Sequence, residues 1–124
     1  RTPVLERELI TEGTHINAMG ADAEGKQELE SDILADAKIV IDDWEQCSHS
    51  GEINVSVAEG NIDHSNIYAN LGELVTGAVP ATADEDITVF DSTGLAIQDI
   101  SVAKLVYESA DEKELGSEFQ LVDS

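Results

Sequence analysis

Cysteine is nearly absent: Cys47 is the single one in 124 residues. A lone thiol excludes an intrachain disulfide and a multi-cysteine zinc site, and it fits a reducing cytoplasm. Long apolar runs are missing too. No stretch approaches the ~20 apolar residues of a membrane-spanning helix, so no membrane partner is expected. The opening Arg1-Thr2-Pro3 has neither an initiator methionine nor an apolar signal segment. The chain is therefore expected to start inside a longer protein. Cations are scarce: six Lys and Arg face 27 Asp and Glu, a formal net charge of -21. Such a surface repels nucleic-acid backbones, which excludes them as partners. Aromatic residues make up 4%. The sequence carries no Gly-x-Gly-x-x-Gly, no Walker loop, no His-Glu-x-x-His and no Gly-x-Ser-x-Gly.

The acidic excess has two readings. One is a disordered or solvating tail. The other is a folded domain adapted to a salt-rich cytoplasm. Like charges repel over a Debye length of about 10 Å at 0.1 M salt, and over about 3 Å at 1 M. The acids are spread along the chain with apolar segments between them. That spacing favours the folded, salt-adapted domain.

The length suits one domain. A short helix is predicted over residues 6–12, with Leu9 and Ile10 inward and Gly13 closing it. Residues 14–19 (THINAM) carry no formal charge and read as a strand buried on both faces, as in parallel sheets. Ser31 is expected to cap a helix over residues 32–37, with Ile33, Leu34 and Ala37 inward. Residues 38–42 form the next strand, completing a strand-helix-strand unit. Residues 44–51 read as a turn or short helix. Alternating Ile53, Val55 and Val57 argue for a strand, with Asn54 and Ser56 sharing its other face. Residues 62–68 look irregular. Residues 71–78 look helical, ended by Pro80. Residues 87–90 form a third strand. The longest helix is predicted over residues 95–109, with Ala96, Ile100, Ala103, Tyr107 and Ala110 making one apolar seam that needs a partner. A last strand is predicted over residues 118–122.

Two stretches carry candidate chemistry. Residues 20–25 follow the first strand, and ligands of open α/β sheets bind beyond the carboxyl ends of strands. There Asp22 is a candidate proton donor and acceptor, beside Lys26 as a cofactor-binding cation. On spacing alone, turn-forming Asp and Gly and a solvated Lys explain the same residues. Lys26 is notable as one of four lysines in so acidic a chain. The second stretch, Asp91-Ser92-Thr93-Gly94, lies between a strand and a helix N-terminus, where free N–H groups attract phosphate or carboxylate. Ser92 or Thr93 as a plain helix cap explains it equally simply. His15 reads as a core or rim histidine. The acidic clusters Asp42/Asp43/Glu45 and Asp84/Glu85/Asp86 could hold a cation. With so many acids present, a solvated face explains them better, and no metal is expected.

Residues 13–29 (GTHINAMGADAEGKQEL) and 88–99 (TVFDSTGLAIQD) together resemble the two signatures of the ornithine cyclodeaminase/mu-crystallin family. Residues 51–55 (GEINV) and 71–74 (LGEL) fit in order and spacing. Within the family, Gly20-Ala21-Asp22 and Lys26-Gln27-Glu28-Leu29 are most similar to the archaeal alanine dehydrogenases. The resemblance implies an α/β fold: the C-terminal part of a Rossmann-type NAD(P)-binding domain, a parallel sheet with flanking helices, plus a long C-terminal helix. It divides the chain into residues 1–94, the second half of the dinucleotide domain, and 95–124, returning toward a dimerisation domain. It implies NAD as cofactor, with NADP as the alternative, and a homodimer at full length. It gives Asp22 the catalytic proton transfer near the substrate nitrogen. Ile16, Asn17, Ala18 and Met19 line the dinucleotide. Lys26 and Ser92 contact the cofactor, and Thr93 lies next to an amino acid or imine substrate. It also turns residues 52–57 into a short helix, against the alternation.

The implied activity is oxidation of alanine to pyruvate and ammonia. Ornithine conversion to proline is the runner-up, and a ketimine-reducing, NADPH-binding protein the third reading. The family's glycine-rich loop and its substrate-binding Lys and Arg belong upstream of Arg1. The isolated piece is therefore expected to show little or no catalysis. A bland alternative is an acidic module that associates through the Ala96/Ile100/Ala103/Tyr107 seam.

Overall fold

A computed structural model describes residues 2–117 and Phe119. The chain falls into two compact units, Arg1–Thr93 and Gly94–Ser124.

The first unit is built on a parallel four-stranded sheet. Its strands are β1 (His15–Ala18), β2 (Lys38–Ile41), β3 (Ile67–Asn70) and β4 (Thr88–Asp91), in the order β1-β4-β2-β3. Thus β4, last in sequence, fills the place between β1 and β2. Ala18 pairs with Asp91, and Asp91 with Ile41, so three strands end level with one another. Their C-terminal loops therefore open along one rim.

Alternation along the strands separates two faces. Ile16, Ala18, Ile39, Ile41 and Val89 belong to one hydrophobic cluster with Leu29, Ile33, Leu34, Cys47 and Ile53. Burial of this cluster, at roughly 25 cal/mol per Å² of apolar surface, is the main force holding the unit together. Ile33 and Leu34 come from α1 (Ser31–Asp36), Cys47 from α2 (Trp44–Ser50), and Ile53 from the turn before α3 (Asn54–Ala58). On the opposite face, His15, Val40, Thr88 and Phe90 line a cavity of about 200 Å³ with Leu71 and Leu74 of α4 (Leu71–Thr76).

Several expectations need correction. β1 is not buried on both faces: His15 and Asn17 are exposed. Among the described residues β1 is an outer strand, and its second face has little cover. His15 is a rim histidine, bonded to Thr88 Oγ1 at 2.7 Å. The helix expected over 6–12 shrinks to a single 3₁₀ turn, Arg7–Leu9, with Ile10 buried but Leu9 68% exposed. Ser31 does not cap α1; Glu30 holds that position, and the Ser31 hydroxyl bonds Gln27 and Ser56.

The alternation at Ile53, Val55 and Val57 is not a strand. α3 occupies that segment because its polar residues are the ones that need the interior. Asn54 and Ser56 are buried and hydrogen-bonded there, while Val55 and Val57 are half-buried. The segment expected to be irregular holds β3. It is four residues long, short of the usual five or six, and is flanked by an Asp63-capped turn and by Asn70. α4 ends earlier than Pro80, at Gly77, whose φ of +73° closes the helix as glycine does readily.

The second unit contains α5 (Ala96–Glu112), 17 residues long. Its seam residues Ile100 and Tyr107 are exposed, as are Ile97, Val102, Leu105 and Val106. The strand expected at 118–122 lies outside the described residues, save Phe119.

Candidate functional site

The loop after β1 is fixed at its far stem by side chains from the α2–α3 corner. Glu52 Oε1 accepts from the Glu28 and Leu29 amides at 2.9 and 2.7 Å. Asn54 accepts from Gly25 N–H at 2.8 Å and donates to Lys26 C=O at 2.7 Å. Asn54 therefore holds the loop at two points, accepting from Gly25 and donating to Lys26, which sets the loop's path. Within it Asp22 and Lys26 form an ion pair. The Asp22 side chain is 71% exposed, so a ligand can reach it; the Lys26 stem is half-buried. A cleft of about 270 Å³ runs along this loop past Val4, Gly20, Lys26 and Glu28. It is smaller than the about 300–1,000 Å³ of small-molecule sites.

The loop after β4 is held differently. Asp42, one residue past β2, accepts from Ser92 Oγ at 3.0 Å and Thr93 N–H at 2.9 Å through Oδ2. Its Oδ1 accepts from Asp43 N–H at 2.8 Å and from the Cys47 thiol at 3.2 Å. The Thr93 hydroxyl lies 3.3 Å from Asp42 Oδ1 and 3.1 Å from Gln46 Oε1. Ser92 N–H donates to Ala18 C=O at 3.1 Å, which joins the ends of β1 and β4.

The helix-cap reading of this loop does not hold. Ser92 and Thr93 do not cap α5, whose N-cap is Leu95. The Thr93 amide, a donor expected to meet an anion, is taken by Asp42. Asp42 itself is no solvated acid. Among the described residues no cluster of three or more His, Cys, Asp or Glu is arranged to hold a metal ion.

The three candidates within β1 split between faces. Ile16 and Ala18 turn to the core cluster, Ala18 being 3% exposed. Asn17 lies on the other face and bonds His15 Nε2 at 3.3 Å. Met19, just past the strand, is 65% exposed. A ligand meeting all four would meet mostly main chain.

Two buried carboxyls underlie both loops; the sequence reading places Asp91 in the second candidate stretch and gives Glu52 no role. Glu52 is fully buried and Asp91 is 1% exposed. Asp91 Oδ2 accepts from Ile53 N–H at 3.1 Å. Glu52 Oε2 and Asp91 Oδ1 have no hydrogen-bond partner. Burial raises the pKa of Glu52 to about 7, with nearby Asp91 and Glu28 adding to the rise and the two loop amides opposing it. Burial likewise raises that of Asp91, opposed by the amides of Glu52 and Ile53. Burial also pushes up the Cys47 thiol, so it is no reactive nucleophile. Only the Gly51-Glu52-Ile53-Asn54 wording flagged this corner.

Residues 1–114 match the ornithine cyclodeaminase/mu-crystallin family. The chain belongs to that family. The alanine dehydrogenase of Archaeoglobus fulgidus is 54% identical over 121 residues, 97% of this chain and 38% of that protein. The solved dimer of an archaeal alanine dehydrogenase with bound NAD superposes with a TM-score of 0.86 at 53% identity, over 98% of this chain and 38% of that one. The Thermococcus litoralis Δ1-pyrroline-2-carboxylate reductase, solved with NADH and L-proline, gives 0.85 at 38% identity, over 94% and 37%. The chain thus spans under two fifths of the length of these family members. Its fold is that of their NAD-binding α/β portion.

Proposed function

We propose that this chain is part of an NAD-dependent alanine dehydrogenase, contributing half of the dinucleotide site and the proton-transfer carboxylate. The observation that carries the reading is the exposed Asp22, ion-paired to Lys26 on a loop anchored at the rim of a parallel sheet. The residues at that rim fit part of a dinucleotide: exposed Met19 offers apolar surface, Lys26 positive charge, and Ser92 and Thr93 hydroxyls. Of these residues only Lys26 lines the cleft of about 270 Å³, so that cleft is not itself the dinucleotide site.

When bound, NAD accepts a hydride from the substrate α-carbon. Asp22 holds and moves protons at the substrate nitrogen and at the water that hydrolyses the imine. Lys26 keeps that carboxylate oriented and meets the cofactor. Thr93 lies against the substrate, and Ser92 against the cofactor. The working protein is a homodimer in a salt-rich cytoplasm. Its division is residues 1–94 for the dinucleotide and 95–124 for the return to the dimerisation domain. The short chain alone is inactive.

The likeness to a Δ1-pyrroline-2-carboxylate reductase supports a second reading, reduction of a cyclic imine. Cyclisation of ornithine is a third member of the same chemistry.

The test is alanine-dependent NAD reduction by the protein at its full natural length, in molar KCl, with Asp22→Asn alongside. Turnover that falls at least 100-fold in the variant supports the dehydrogenase. Silence with alanine and turnover of a cyclic imine or ornithine transfers the assignment to those readings.

A further inference from the structure

We infer that Asp42 is a positioning residue that makes Ser92 and Thr93 hydrogen-bond acceptors toward the ligand, so that the group recognised there is an N–H or O–H donor. The inference rests on the dinucleotide reading above and adds the chemistry of one contact.

A hydroxyl has one proton to give and two lone pairs to receive. An ionised carboxylate can only accept. The Ser92 proton is therefore committed to Asp42 Oδ2 at 3.0 Å. The Thr93 proton faces Asp42 Oδ1 at 3.3 Å and Gln46 Oε1 at 3.1 Å, and either choice spends it inside the protein. The Thr93 amide is spent on the same carboxylate. What this pair still offers a ligand is lone pairs, with a negative charge behind them. Phosphate and carboxylate oxygens meet repulsion there. Ribose hydroxyls, a carboxamide NH₂ or a substrate amino group find acceptors. Ser92 is 7% exposed, so any contact with a ligand is confined to a small part of its surface.

Asp42 is itself well fixed. The Asp43 amide and the Cys47 thiol hold Oδ1, which orients Oδ2 toward the Ser92-Thr93 loop. Asp42→Asn keeps the volume but puts an NH₂ where an acceptor oxygen stood. Its best arrangement lets the amide donate to Ser92, which reverses the polarity of that hydroxyl.

The experiment is a double-mutant cycle on NADH affinity, read by fluorescence with the protein at its full natural length in molar KCl. Ser92→Ala should weaken NADH about 5- to 10-fold, the worth of one hydrogen bond. Asp42→Asn should weaken it at least as much. The double variant should bind no worse than Asp42→Asn, because Asp42 acts through Ser92. An Asp42 that acts independently of Ser92 gives losses that multiply, and that result overturns the inference. Unchanged affinity in Asp42→Asn overturns it as well. Should that variant fail to fold, amide hydrogen exchange in the unmodified protein decides. A Thr93 amide as protected as those of β4 supports the anchor, and exchange at the rate of a free loop overturns it. An unmodified protein that binds no NADH removes the dinucleotide reading and this contact with it. NADH binding with multiplicative losses removes the Asp42 inference alone.

Discussion

A β-carbon on Gly51 would stand 2.7 Å from both carboxyl oxygens of Asp91 and 2.7 Å from Cys47 Cα. The φ of Gly51 is -77°, so space, not backbone conformation, demands glycine there. Gly51→Ala should cost about 1–3 kcal/mol, because Asp91 is itself held by Ile53 N–H and the Cys47 backbone cannot retreat. A denaturation midpoint in molar KCl measures it; a midpoint equal to the parent's refutes it. Some of this residue-scale detail was legible and some was not. The pairing of Asp22 with Lys26 was, because two opposite charges four positions apart in one loop are a local signal. Asp42 was not. It stands in an acidic run of a chain with 27 acids, and its partners Ser92 and Thr93 are 50 and 51 positions away. Asp91 looked like the first residue of a loop, yet it is the buried last residue of β4.

At the scale of elements, the α2–α3 corner acts as a bracket beneath both rim loops. Glu52 reaches the loop after β1, and the backbone around Ile53 reaches Asp91 at the end of β4. The raised pKa of Glu52 gives this bracket a pH dependence with a definite sign. The folded state holds the proton up to about pH 7, the unfolded chain to about 4.5. The folded protein binds more protons between those values, so Glu52 lowers stability as pH rises through that window. The full loss is reached above about pH 7. Comparing unfolding midpoints at pH 5 and pH 8 should show a fall in the parent protein. In Glu52→Gln, which still accepts from the Glu28 and Leu29 amides, that fall should be smaller. Equal falls in both would sink the argument. The same corner shows where period-two reading breaks down. Ile53, Val55 and Val57 alternate as in a strand, yet the interior at this point wants the amide of Asn54 and the hydroxyl of Ser56. A pattern rule that equates buried with apolar has no way to see that.

For the whole molecule, the order of most elements followed from short apolar runs separated by turn residues, and the parallel sheet from the family resemblance. The placement of β4 between β1 and β2 did not, since strand order depends on contacts between residues some 70 positions apart. The net charge of -21 sets the conditions for everything else. Self-repulsion should relax as the Debye length falls. Raising KCl from 0.1 M to 2 M should lift the thermal midpoint of the first unit by at least 10 °C, and circular dichroism should show gain of helix. Flat curves would return the charge to the solvating-tail reading.

The scarcity of cations also dictates how this stretch of chain meets trypsin, which cuts after lysine and arginine. Arg7, Lys26, Lys38 and Lys104 are engaged by Asp36, Asp22, Asp86 and Glu108. Lys38 in addition opens a central strand and lies over the Tyr68 ring. Lys113 follows the end of α5 in an exposed turn. Among these five, brief digestion should therefore cut at Lys113 first, with the strands of the sheet left uncut.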